Sequence, residues 1–282
     1  MPSMKNIVVL YHADCPDGFS GAWAAWKKLG NKADYIAQDR KTPLPKLVNK
    51  EIYFIDYAPR SARIVADLVK KNRRVVIIDH HLTAKPVVKS ASGYLFDLGH
   101  SGAVLAWSYF HRKKPLSKLL KYIEDRDLWR WRLPQGRAVT NYIDLFDFSF
   151  KNWDHFAVEL EDDKKFKKII EKGKTISDYR QKIIKDMMGV AELVEFAGYR
   201  VLAVNAPSFL DSDLGHALVK KLPPLGIVWR RESGSINRFS LRGNGKINLA
   251  ELAKKFGGGG HKDAAGFILP ANKPLPWRSI RK

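Results

Sequence analysis

In the first part of the chain, apolar residues fall in short runs, with helical spacing between them. Ile7–Tyr11 (IVVLY) is an apolar run that ends in a polar loop, His12 to Gly18. Phe19, Trp23, Trp26 and Leu29 then follow at helical intervals as far as Gly30. Glu51–Asp56 (EIYFID) and Arg74–Asp79 (RVVIID) predict two further strands, each ending in Asp, with a helix marked by Ile64, Leu68 and Val69 between them. Ser101–Tyr109 and Leu116–Ile123 are helical by pattern. Strands alternating with helices predict a doubly wound, mostly parallel sheet. Ligands of such sheets bind at the carboxyl ends of the strands, so the His and Asp residues at these ends should converge on one edge.

The pattern then changes. Residues 151–197 contain no proline, and Phe166, Ile169, Ile170, Ile176, Ile183, Ile184 and Met187 recur at roughly helical intervals, which predicts one or two long connecting helices. Tyr199–Val204, Gly226–Arg231 and Ile236–Leu241 predict strands, and stretches near 212–221 and 248–256 predict helices. Pro223-Pro224 and Gly243–Gly245 mark turns. The expected α/β architecture is an N-terminal domain over 1–150, a helical linker over 151–197 and a smaller α/β domain with a mixed sheet over 198–282. The proline-rich tail after Pro270 should be irregular.

Composition narrows the class. The 282 residues are 45% hydrophobic and 11% aromatic, too apolar for a mainly disordered chain. The single cysteine, Cys15, excludes an internal disulfide and a Cys-rich zinc module. No apolar run approaches the roughly 18 residues that span a bilayer, and the N-terminal run is shorter than a signal-peptide core. The expectation is a cytoplasmic protein without a membrane partner. The net charge is +21: +11 over 1–150, zero over 151–197 and +10 over 198–282. An anionic partner fits this charge, and so does plain solubility.

Four places in the first half are read as carrying carboxylates or imidazoles at strand ends: His12/Asp14/Asp17, Asp56, Asp79-His80-His81 and Asp125/Asp127. Singly, each has an ordinary explanation. Asp56 reads as a helix cap, His12 as a strand-end residue, and Asp125 and Asp127 as surface partners of Arg126 and Arg130. Together they form a hard-oxygen and imidazole donor set suited to Mn, Mg, Zn or Fe(II). Six or more donors imply two divalent metals, with Asp56 a candidate bridge. Such a pair clamps the attacking and leaving oxygens of an in-line phosphoryl displacement and acidifies the attacking water.

The second half offers phosphate contacts. Gly258, Gly259 and Gly260 precede His261, and glycine backbone lets N–H groups approach a phosphate closely. A plain glycine turn is the competing explanation, although the small residues Ala264, Ala265 and Gly266 favour tight packing behind the loop. Arg242 ends a strand, and its planar fork matches phosphate oxygens. His100 and Ser101 precede a helix whose N–H groups suit an anion, with Ser101 equally readable as a simple N-cap. Trp129 and Trp131 suit base stacking or a core wall. Cys15 lies inside the first acidic loop, but no catalytic-thiol arrangement is evident.

VIIDHH at 76–81 resembles the signature of the DHH phosphoesterase superfamily. HADCPDG at 12–18 resembles its first motif, IDYAP at 55–59 its second and EDRD at 124–127 its fourth, in the family order. GGGGHKDAAGF at 257–267 resembles the motif of the DHH-associated C-terminal domain. The resemblance implies two divalent ions, Mn²⁺ by preference with Mg²⁺ as the alternative. It implies metal ligation by His12, Asp17, Asp56 as the bridge, His80 and an Asp of the fourth motif, with Asp125 slightly favoured over Asp127. Asp79 would be a ligand or orient the His pair, and His81 would stand nearer the scissile phosphate. A substrate role for Arg242 is implied as well. Phe19 departs from the first motif where a ligand is expected, and Asp14 is the candidate replacement.

Three functions follow. The first is hydrolysis of short or single-stranded oligonucleotides. The second is hydrolysis of cyclic dinucleotides, 3′-phosphoadenosine 5′-phosphate or polyphosphate. The third is non-catalytic nucleic-acid binding by a degenerate site, which the Phe19 departure motivates.

Overall fold

The computed structural model describes residues 4–39 and 42–280. These form two compact units, Met1–Ser177 and Asp178–Lys282, whose boundary falls inside one long helix.

In the first unit, β1 (Ile7–His12), α1 (Pro16–Leu29), β2 (Ala33–Gln38), β3 (Glu51–Ile55), α2 (Ala62–Lys71), β4 (Arg74–Asp79), α3 (Lys85–Val88) and β5 (Gly93–Phe96) follow in turn. The helices α4 (Gly102–Phe110), α5 (Lys118–Asp127), α6 (Gly136–Ile143) and α7 (Phe150–Glu159) come next, followed by the long α8 (Asp163–Gly189). The five strands form one parallel sheet in the order β2-β1-β3-β4-β5. Val8–Leu10, Ile52, Phe54, Ile55 and Val75–Ile78 are fully buried. Burial on both faces is why these strands read as continuous apolar runs rather than alternating ones. β2 and β5 lie at the sheet edges and are only partly buried, and the apolar pattern does not predict them as strands.

The order places β2 on one side of β1 and β3 on the other. The chain therefore reverses direction across the sheet between β1 and β3, and the resulting crevice at the carboxyl ends is where such folds bind ligands. The register finishes the construction. Tyr11 pairs with Ile55 and Ile55 with Ile78, so the next residues, His12, Asp56 and Asp79, leave three neighbouring strands at one level. With strands roughly 4.8 Å apart, three residues from distant parts of the chain stand side by side.

The second unit is built on a seven-stranded sheet. Its parts are β6 (Glu192–Phe196), β7 (Tyr199–Asn205), α9 (Asp211–Lys221), β8 (Leu225–Glu232), β9 (Ile236–Gly243), α10 (Leu249–Lys254), β10 (Gly259–Gly260), β11 (Ala264–Pro270) and β12 (Arg278–Ser279). The order is β10-β11-β9-β8-β7-β6-β12; β7 and β8 are parallel and the other pairs antiparallel. The sheet is mixed, as expected. The strand β6 falls inside the stretch expected to be helical connection, and the tail contributes the short β12. No helix among the described residues is long and apolar enough to cross a membrane.

Candidate metal centre

Asp56 is the centre of the cluster. It is 2% exposed, and its φ of 55° lies in the left-handed region, a strain of about 1 kcal/mol for a non-glycine residue. Its Oδ2 lies 3.4 Å from His12 Nδ1, and its Oδ1 lies 3.2 Å from His80 Nε2. One carboxylate thus faces two groups of donors. Despite that proximity, Oδ1 is buried without a hydrogen bond of acceptable geometry. A buried oxygen left in that state needs an explanation, and a cation supplies one.

One triad includes this residue and a second lies beside it, through His80. His12, Cys15 and Asp56 each place a ligand atom within 4.8 Å of the others, and so do Asp17, His80 and Asp127. Asp56, Asp79 and His81 form a further group of the same dimensions. Within that group, Asp79 Oδ1 accepts from the His80 and His81 backbone N–H groups at 2.7 and 2.9 Å and lies 2.8 Å from His81 Nδ1. Asp79 therefore orients the His pair, as carboxylates behind metal-ligating histidines do.

Asp17 sits in the first turn of α1 and is 1% exposed. Its Oδ2 accepts from Gly102 N–H at 2.7 Å and its Oδ1 from Ala103 N–H at 3.0 Å. Ser101 Oγ accepts from Val104 N–H, and the Ser101 N–H itself bonds to Glu124. The first N–H groups of α4 are thus all engaged by protein oxygens. This corrects the expectation of an anion site at His100 and Ser101: Ser101 is an N-cap, and His100 Nδ1 lies 3.1 Å from Glu124. Gly102 has a different importance. A Cβ there would lie 2.6 Å from Asp56 Cβ and 3.0 Å from Asp17 Oδ2, so only glycine allows α4 to approach both acids.

The four residues of EDRD divide their tasks. Glu124 holds the 99–101 loop and Arg130, while Arg126 pairs with Asp144. Asp125 turns away from the cluster: its two oxygens accept from Arg132 and Leu133 N–H groups at 2.9 and 3.0 Å. Asp127 Oδ2 lies 3.6 Å from His80 Nε2. The structure therefore brings Asp127, not the slightly favoured Asp125, to the cluster. Asp125 instead fastens a loop in which Trp129 and Trp131 both have positive φ, a need that nothing in the sequence announces. The two Trp rings pack against each other, with Arg137 over Trp131 at 4.2 Å.

The first loop is corrected too. Asp14 is exposed, with φ 52°, and belongs to none of the triads. Phe19 is 4% exposed and packs on Trp153, Phe148 and Phe150 in the core, so it replaces no ligand. Cys15 is the residue of this loop that joins a triad, a placement that its lack of any thiol motif does not announce. Its signal was Pro16, which fixes the start of α1 and holds the preceding residue in an extended N-cap conformation.

The electrostatics show a centre short of positive charge. Burial opposes protonation of His12, His80 and His81, yet Asp56 with Asp79 and Asp17 drives His12 upward, Asp56 with Asp127 and Asp17 drives His80 to about 10, and Asp79 with Asp56 drives His81 upward. Burial favours a neutral Asp56, but His12 and His80 prevail and hold its carboxyl well below the usual range. Burial, followed by Asp127 and Asp56, pushes Asp17 well above it. Burial and the same acids push the Cys15 thiol up. A group that recruits protons in this way fits divalent cations, and the donor chemistry agrees.

In the second unit, Arg242 Nη2 donates to Ser212 Oγ at 2.8 Å and Nη1 to the Leu241 carbonyl. Burial pulls its guanidinium below the ordinary value, with Asp211 and Asp213 opposing. Gly259 and Gly260 form β10 against Gly266 and Ala265. A Cβ on Gly258 would lie 2.1 Å from the Gly266 carbonyl oxygen, and Gly260 has φ 143°. Close backbone packing accounts for these glycines, whatever else they do. The His261 N–H donates to the Ala264 carbonyl at 2.7 Å, closing the turn.

A model of the DHHA1 domain family matches residues 218–275. An uncharacterized protein of Acanthamoeba polyphaga mimivirus is 30% identical over 97% of this chain and 70% of its own length. The oligoribonuclease NrnB of Bacillus subtilis is 26% identical over 72% of this chain, which spans only 55% of that protein. The crystal structure of the exonuclease RecJ bound to manganese superposes with a TM-score of 0.50 at 14% identity, over 93% of this chain and 86% of that one.

Proposed function

Because the chain belongs to the DHH phosphoesterase superfamily, hydrolases of phosphate esters, we propose that it cleaves phosphodiester bonds of short or single-stranded oligonucleotides with two divalent ions. One observation carries the two-ion reading: Asp56 turns one oxygen toward His12 and the other toward His80, so a single buried carboxylate lies between the two triads. His12 and Asp56 would hold one ion, and Asp17, His80, Asp127 and the other oxygen of Asp56 the second. When bound, such ions stabilise charge on the phosphoryl oxygens and acidify water. Mn²⁺ is our preferred ion, supported by the oxygen and imidazole donors and by the manganese bound to RecJ.

The chain's own residues supply the rest. Asp79 holds the His81 ring through Nδ1, and His81 is assigned the place nearest the scissile phosphate. Arg242, with Gly258–Gly260 and His261, is assigned to phosphate binding. The oligonucleotide reading is supported by the likeness to NrnB and by the net +10 over residues 198–282, since a basic surface follows a phosphate backbone. The core position of Phe19 removes the motive for a degenerate, non-catalytic site.

The test is a metal-by-substrate panel. Dinucleotides and longer RNA and DNA oligomers are offered with Mn²⁺ and Mg²⁺, beside cyclic dinucleotides, 3′-phosphoadenosine 5′-phosphate and polyphosphate. Cleavage of oligonucleotides, abolished in Asp56→Ala, is expected. Activity confined to the other substrates would transfer the assignment to them. Inactivity on all of them, with nucleic-acid binding unchanged in Asp56→Ala, would leave a binding protein.

A further inference from the structure

We propose that Cys15 is a metal ligand, its thiolate completing a triad with His12 and Asp56 and giving this centre one sulfur donor among oxygens and imidazoles. The inference rests on the two-ion reading above and adds to it the nature of one ion.

Position makes the case first. Cys15 is the N-cap of α1, yet its side chain accepts no capping hydrogen bond. Its sulfur lies within 4.8 Å of a His12 ring nitrogen and an Asp56 oxygen. The neighbouring carboxylate, Asp14, is exposed and stands outside the triads. The loop between β1 and α1 therefore delivers a thiol where an acid was available one residue away. The second observation is independent of the cysteine: Asp56 is 2% exposed, and its Oδ1 is buried without a hydrogen bond. That oxygen calls for a cation at Asp56 on the His80 side, and Oδ2, 3.4 Å from His12 Nδ1, is the oxygen that Asp56 turns toward His12, with the Cys15 sulfur in the same group.

The chemistry balances simply. The thiol gives its proton to solvent, the sulfur pair forms the bond to the ion, and one proton is released per ion bound. A thiolate among imidazole and carboxylate donors favours softer ions, so this triad should prefer Zn²⁺, Co²⁺ or Fe²⁺ over Mg²⁺. The all-oxygen-and-imidazole triad of Asp17, His80 and Asp127 has no such bias, and the two ions of one centre need not be alike.

Because Cys15 is the single cysteine, any sulfur signal is unambiguous. The metal-stripped full-length protein is titrated with Co²⁺ while near-ultraviolet absorption is followed, and bound cobalt is counted by elemental analysis. We expect a thiolate-to-cobalt charge-transfer band that saturates with one of the bound ions. We also expect alkylation of Cys15 by iodoacetamide to slow by about tenfold or more when cobalt or zinc is present. Cys15→Ser should lose the band, and Cys15→Asp should lose it while shifting the Zn²⁺-to-Mg²⁺ affinity ratio by about 10-fold or more toward Mg²⁺. Cobalt bound without the band, with alkylation unslowed, overturns the proposal and leaves the two-ion reading standing. No bound cobalt at all overturns both. The parent protein alone decides, so a variant that fails to fold does not block the test.

Discussion

Asp17 and Gly102 are 85 positions apart in sequence, yet the Asp17 carboxylate accepts the Gly102 N–H at 2.7 Å and the Ala103 N–H at 3.0 Å. The residue that joins His80 and Asp127 in one triad also accepts the first two N–H groups of α4. Folding and the proposed metal binding would thereby be tied to one side chain.

Asp17→Ala should consequently fail twice. It strands two buried N–H donors, at about 1–3 kcal/mol each, and it removes a ligand. Asp127→Ala removes a ligand from a side chain that is a quarter exposed and should stay within about 0.5 kcal/mol of the parent when metal is absent. Urea denaturation of the metal-free proteins compares them. Equal destabilisation by both would contradict the division.

Asp125 and Asp127 should separate in the opposite sense. Asp125→Ala frees the Arg132 and Leu133 N–H groups and should lower stability by about 2 kcal/mol while two ions still bind. Asp127→Ala should lower metal content and activity. Elemental analysis beside denaturation curves reads both, and loss of metal from the Asp125 variant alone would reverse the assignment.

Gly102→Ala places a methyl group 2.6 Å from Asp56 Cβ. Displacing either α4 or the β3 end should cost about 1–3 kcal/mol and weaken metal binding, although no donor is altered. Isothermal titration with Mn²⁺ would show it; unchanged affinity and unchanged stability would mean the approach is looser than described.

Metal removal should soften the fold. An ion that binds only the native state at 100 times its Kd adds about 2.7 kcal/mol, so chelation should lower the melting temperature measurably. Asp56→Ala should abolish most of that difference. A parent whose melting temperature ignores both chelator and added Mn²⁺ would count against a metal centre.

His111 supplies a pH prediction away from the centre. It is buried, its Nε2 lies 2.9 Å from the Ala24 carbonyl, and burial, with Lys114, Lys28 and Lys27 adding, lowers it below 6.5. The unfolded chain therefore takes up a proton that the native state refuses. His111 favours the fold fully above 6.5, and this contribution is lost as pH falls through the lowered native value. Denaturation at several pH values should show that fall in the parent and less of it in His111→Gln. Identical slopes would refute the prediction.

Much of this was decided by the sequence alone. The buried runs of β1, β3 and β4 were readable because strands covered on both faces are continuously apolar. The motifs at their ends mark His12, Asp17, Asp56, Asp79, His80 and His81 as one group from residue type and order alone. The edge strands β2 and β5 were not readable, since Asp34 and Gln38 interrupt the apolar pattern of β2 and β5 has only 4 residues, and β6 was hidden within a stretch of helical periodicity. Tertiary structure alone decided between neighbours. Asp125 and Asp127 are the same residue type two positions apart, and Asp14 and Cys15 are adjacent. Which one faces the centre depends on backbone direction at single residues and on donors brought in from elsewhere in the fold, such as the Arg132 and Leu133 N–H groups that claim Asp125. A linear pattern records residue type and spacing. It does not record which backbone groups need an acceptor after the chain has folded, and that requirement assigned the side chains here.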